Sequence, residues 1–78
     1  DVTPPLMFPM VKTLVTDMLN WENGRNATLF RVACRYFELA GKSLLGSDAL
    51  DVLVDAALST GLPRDEVERT IQSARRSV

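Results

Sequence analysis

Apolar residues recur at helical spacing in four blocks of the chain, and none alternates with the period of two that a half-buried strand requires. The first block holds Met7, Met10, Val11, Leu14, Val15, Met18, Leu19 and Trp21, with Lys12 and Asp17 as its only charges. Pro9 fits its first turn, where a missing N–H costs nothing. Asn23-Gly24 is a turn signal that closes it, so the first helix is predicted over residues 9–21. The second block runs over 26–40, with Asn26 as N-cap and Gly41 as the C-terminal residue free to turn left-handed. The third runs over 47–59, with Ser47 as N-cap, Asp48 in the first turn and Gly61 beyond its end. The fourth runs over 63–76 from Pro63, with Asp65, Glu66 and Glu68 early and Arg75 and Arg76 late, as the helix dipole favours.

Short connections between these blocks predict an all-α fold: a compact four-helix bundle-like domain with sequence neighbours roughly antiparallel. The longest connection, Gly41 to Gly46, contains Leu44 and Leu45, both expected to fold back onto the core. Trp21, Phe30, Tyr36 and Phe37 are spaced like core residues and Met7, Met10 and Met18 like packing filler. A base stacked on Tyr36 or Trp21 ranks behind core packing. Seventy-eight residues, 46% of them hydrophobic, make one domain with little volume to spare for a deep pocket. The head of the chain, DVTPPLMFPM, lacks the basic opening of a signal peptide, and it reads as a cut through a longer protein. No apolar run reaches the roughly 20 residues that span a bilayer, so no membrane partner is expected.

Catalytic chemistry is hard to place on this chain. It has no histidine, its one cysteine, Cys34, lacks a base, and no serine lies in a nucleophile motif. No glycine-rich phosphate loop occurs, and the glycines mark helix ends. The expectation is a domain that is not an enzyme by itself and holds no metal. Asp48, Asp51 and Asp55 form a single helical row without the converging geometry that a divalent cation needs. Cys34 is expected as a buried small hydrophobe, and an unpaired cysteine fits a reducing, cytoplasmic compartment.

Charge changes the picture more than composition does. The net charge is -1, yet from Arg25 to Lys42 four basic residues face one acid, and from Arg69 onward three arginines face none. Between Ser43 and Pro63 lie three acids and no base. On the second helix Arg31, Arg35, Glu38 and Lys42 share a face, and on the fourth Arg69, Gln72 and Arg76 share one with Arg75 beside it. If those faces lie side by side, five arginines and Lys42 form a positive groove suited to phosphates. The competing reading is a solvated helix face on which Glu38 pairs with its neighbours. At the start of the second helix, free backbone N–H groups with Arg25 alongside form an anion seat.

Two segments add a resemblance. GRNATLFRVACRYFELAG, residues 24 to 41, resembles the Gly-Arg-Asn opening, followed by Leu-Phe and Ala, of the primase C-terminal family. GLPRDEVERTIQSARR, residues 61 to 76, is similar to that family's closing helix: an apolar-Pro lead-in, an acidic-Glu-Val step, then Thr-Ile-x-Ser-Ala. Members are small helical domains that follow the catalytic primase-polymerase domain in replication proteins of phages, plasmids and integrated elements, often ahead of a helicase domain. The resemblance implies a non-catalytic accessory domain, part of a larger replication protein, that helps a DNA primase engage single-stranded template DNA. No cofactor is implied, and an initiating nucleoside triphosphate is the one small ligand it admits. Arg25 and Asn26 match the family's loop-to-helix element, and Thr70, Ser73, Arg69 and Arg75 lie in its closing-helix motif. The candidate phosphate-binding set is therefore Arg25, Asn26, Arg31, Arg35, Lys42, Arg69, Arg75 and Arg76. The alternative is a module that docks a primase catalytic domain to a helicase or another replication subunit through Leu6, Met7, Phe8 and Met10. A helix-turn-helix duplex reader is weaker, because the fourth helix opens on Arg-Asp-Glu.

Overall fold

A computed structural model describes residues 7–21 and 24–78. It contains four α-helices in chain order, α1 (Met7–Leu19), α2 (Arg25–Gly41), α3 (Ser47–Ser59) and α4 (Arg64–Ser77), with no strand among the described residues. All four predicted helices are present: α3 has the bounds read from the sequence, and the other three are shifted by a residue or two. Leu6 and Asn23 lie outside the described residues, as do the side chains of Met7 and Phe8.

The largest shift is in α1, which opens and closes two residues earlier than the 9–21 read from its pattern. Pro9 becomes its third residue, still among the first four N–H positions that lack an intrahelical partner. Asn20 N–H donates to the Thr16 carbonyl, and Trp21 stands outside the helix. Neither polar residue expected as an N-cap fills that role. Gly24 is the N-cap of α2, with φ 106° and ψ 132°, and Asn26 sits inside the first turn. Gly46 is the N-cap of α3, and Ser47 is already helical. At both starts a glycine carbonyl receives the first intrahelical bond, from Thr28 N and from Ala49 N respectively.

The end of α2 also differs from expectation. Gly41 stays helical, and the left-handed position falls on Ser43, φ 61°. Leu44 N donates to Leu39 O and Ser43 N to Ala40 O, the paired bonds of a Schellman motif. Gly61, φ 97°, does end α3 as its sequence position indicates.

Helix α2 is the central element. It packs along α4 and also touches α1 and α3, while α1 lies mainly on α3 and does not reach α4 among the described residues. Arg25 meets Thr60, Asn26 meets Glu66 and Thr70, and Cys34 meets Ala74, so contacts advance in the same sense along α2 and α4. The two helices therefore run parallel. The core joins Leu14 and Met18 of α1 to Leu29, Val32 and Ala33 of α2, Leu53 and Ala57 of α3, and Val67 and Ala74 of α4. Leu45 folds into it, whereas Leu44 remains exposed. Tyr36 is buried and its hydroxyl donates to Gly46 O at 2.9 Å, tying α2 to the start of α3. Trp21 and Phe30, both spaced like core residues, are exposed instead.

Candidate nucleic-acid interface

Gly24 delivers the chain into α2, and Arg25 follows it directly. Its side chain reaches away from the helix start. Nη1 donates to the Thr60 carbonyl at 2.6 Å, and the guanidinium stands 5.3 Å from the centroid of the Trp21 ring. Thr60 is the C-cap of α3, so a fixed cation sits at the negative end of that helix dipole. The guanidinium expected beside the free N–H groups of α2 is thus held between Trp21 and the α3–α4 turn.

Asn26 is likewise engaged at long range. Its Oδ1 accepts a 2.6 Å bond from the Thr70 hydroxyl, and its Nδ2 donates to Glu66 Oε2 at 3.1 Å. A side chain caps a helix from the position before the first helical residue. With Gly24 in that position, the amide of Asn26 is free to satisfy the buried Thr70 on α4. It joins the parallel helices at their N-terminal ends.

Three of the remaining cations divide between two shallow depressions on either side of α2. Asn26, Glu66, Arg69, Thr70 and Ser73 line the one along the α2–α4 seam. Arg31 and Arg35 line the other, whose far wall is Leu14 and Asp17 of α1. The basic faces of α2 and α4 therefore do not merge into a single groove. The reason is angular. Helix α4 docks on the flank of α2 that carries Asn26 and Phe30, and one residue later Arg31 has turned about 100° around the axis. Phe30 lies at the junction, lining the α1-side depression and a seam depression shared with Asn26, Thr70 and Ser73. Lys42 lies at the other end of α2, about 25 Å from Arg25 by helix rise. Arg75 and Arg76 are exposed in the last turn of α4.

Two cations have acidic neighbours, Arg35 with Glu38 at 3.5 Å and Arg69 with Asp65 at 3.3 Å, both exposed pairs of small energy that a phosphate displaces easily. Arg31, Lys42, Arg64, Arg75 and Arg76 are exposed and have no ion pair among the described residues. Asp48, Asp51 and Asp55 are exposed on α3. Sequence spacing placed Phe30 in the core, and the structure exposes it between the two depressions. It stands at the edge of the apolar stripe, where spacing alone does not separate core from surface. Its flanks, Asn26 one turn back and Arg31 next in the chain, were the available signal.

Among the described residues no group of His, Cys, Asp and Glu could hold a metal ion, and no helix is long and apolar enough to cross a membrane. Set against models of known protein families, curated proteins and solved structures, the chain matches none.

Proposed function

We propose that this four-helix domain is a non-catalytic accessory module of a primase-type replication protein, acting in the cytoplasm, and that it binds single-stranded template DNA through the exposed arginines of α2 and α4. The observation that carries the binding is the polarised surface. On a chain of net charge -1, the exposed cations without an ion pair among the described residues lie on or beside α2 and α4, apart from Lys12 on α1, while α3 presents three exposed acids and no base. A single strand follows the α2 and α4 side because phosphates are attracted there and repelled at α3. The replication setting rests on the resemblance of residues 24 to 41 and 61 to 76 to the primase C-terminal family. An initiating nucleoside triphosphate would use the same arginines and compete with the strand.

Titration of a fluorescent single-stranded oligonucleotide at several salt concentrations tests this reading. Affinity is expected to fall steeply with salt, and to drop in Arg31→Gln and Arg69→Gln by similar factors for every base sequence. Affinity that is absent, or insensitive to salt, overturns it. Docking to a helicase or catalytic domain is the second reading, motivated by the exposed Leu19 and Val52 on the adjacent helices α1 and α3. A Leu19→Ser and Val52→Ser variant that loses the partner yet keeps the oligonucleotide would favour it.

A further inference from the structure

Resting on the single-strand reading above, we infer that Phe30 is a base-stacking platform, so that the ligand of this surface is an unpaired nucleotide whose base lies on the Phe30 ring while neighbouring phosphates meet Arg69 on one side and Arg31 and Arg35 on the other. A lone exposed apolar residue needs no function in general. The other described aromatics show what sets this one apart. Tyr36 is 4% exposed, and Phe37 packs edge-on against it with ring centroids 5.0 Å apart. Trp21 is exposed, but the Arg25 guanidinium occupies its ring at 5.3 Å. Phe30, 38% exposed, has no aromatic or cationic partner among the described residues.

Its position has the two ingredients of sequence-tolerant single-strand binding, an aromatic face and cations spaced along a track. The depression on the α4 side of Phe30 continues through Thr70 and Ser73 to Arg69. The depression on its other side contains Arg31 and Arg35. Asn26, Thr70 and Ser73 give the α4 side a polar lining in which the Glu66 carboxylate is tied to Asn26 Nδ2, while Asp17 and Glu38 stand beside Arg31 and Arg35 on the other side. The Ser73 hydroxyl has no hydrogen-bond partner among the described residues, leaving it free for a sugar or base edge. A duplex cannot use this ring, because its bases already stack on one another. The preference is therefore for unpaired strands and is indifferent to which base is presented, since every base has a π-face.

The test compares short oligothymidylate with an abasic strand of the same length, which keeps the phosphates and removes the bases. Phe30→Ala is expected to weaken oligothymidylate binding roughly five- to 150-fold and to leave abasic binding unchanged. Phe30→Leu, which retains an apolar side chain without a ring, is expected to behave like Phe30→Ala, and Phe30→Trp to bind at least as well as Phe30. Circular dichroism of each variant checks that the helices persist; should Phe30→Ala not fold, Phe30→Leu carries the test. Oligothymidylate binding unchanged in both ring-less variants overturns the stacking role and leaves the phosphate reading standing, as does a parent domain that binds the two strands equally. A parent domain that binds neither strand overturns both.

Discussion

Arg25 shows how one residue can carry two opposite roles on paper and one in the fold. Beside a turn and a helix start it has the composition of a phosphate seat. In three dimensions its Nη1 is used by the Thr60 carbonyl and its face by Trp21, a partner 35 residues away in the first case and four in the second. Sequence reasoning sees the Arg and the turn, but not the distant carbonyl that claims the donor. Arg25→Ala is expected to lower the free energy of unfolding by about 1–3 kcal/mol without any nucleic acid present, from the loss of a charge-assisted hydrogen bond and a cation–π contact. Arg25→Lys recovers only part of this, because a point charge cannot donate and stack at once. Urea denaturation measures both; an Arg25→Ala domain as stable as its parent means that the clasp contributes nothing. Tyr36 yields a second expectation. Burial, and then the negative charge of Asp51, push its phenol above its usual value. Its folded pKa is raised, so the stabilisation is fully present below the unfolded value of about 10 and is lost as pH rises through the folded value. Alkaline unfolding above about pH 10 is expected to move to higher pH in Tyr36→Phe, and far-ultraviolet circular dichroism against pH reads it directly.

At the scale of elements, the helical pattern was legible because core positions recur with a period that neither strand nor loop reproduces. Boundaries were less legible, for a chemical reason. Both observed N-caps of known geometry with a polar candidate nearby, Gly24 and Gly46, have no side chain and so leave no capping signal, while Asn26 and Ser47 advertise a role they do not fill. The same holds at the end of α2, where Gly41 looked like the left-handed residue and Ser43 takes that conformation. A Schellman motif places its left-handed residue by where the two closing bonds form, and here those bonds reach Leu39 and Ala40. Ser43→Gly removes the Cβ penalty and is expected to stabilise the domain by about 0.5–1 kcal/mol after the added freedom of the unfolded chain is subtracted. Gly61→Ala acts in the opposite direction. At φ 97° a side chain is strained, and its Cβ would stand 2.7 Å from Arg25 Nη1, an atom fixed by Thr60 and not free to retreat. A loss of about 1–3 kcal/mol is expected, and thermal unfolding of the two variants should move to opposite sides of the parent. Shifts in the same direction would refute this account of the two helix ends.

For the whole molecule, the decisive feature is which flank of α2 receives α4. Charge spacing suggested one basic groove, and it was legible that α2 and α4 each carry arginines. The side on which α4 docks was not legible, because both flanks of the α2 apolar stripe offer packing residues: Phe30, Cys34 and Phe37 on one, Val32 and Leu39 on the other. The first flank was chosen, with Thr70 and Asn26 completing the seam, and so the arginines were parted around Phe30. A parted set makes a distinct electrostatic claim. If net charge governed the encounter with a single strand, neutralising an acid anywhere would help as much as neutralising a cation would harm. If local fields govern it, only charges within about a Debye length of the strand matter, roughly 10 Å at 0.1 M salt. Each cation that contacts a phosphate contributes about -0.7 to the slope of log affinity against log salt on a single strand. Neutralising Arg31 or Arg69 by glutamine is therefore expected to make the slope shallower by about 0.7 each, and by about 1.4 together, since they line separate depressions. Asp51→Asn on the exposed face of α3 alters the net charge by the same single unit and is expected to leave the slope where it was. A slope that follows net charge in all three variants would mean that the strand does not pass between those arginines.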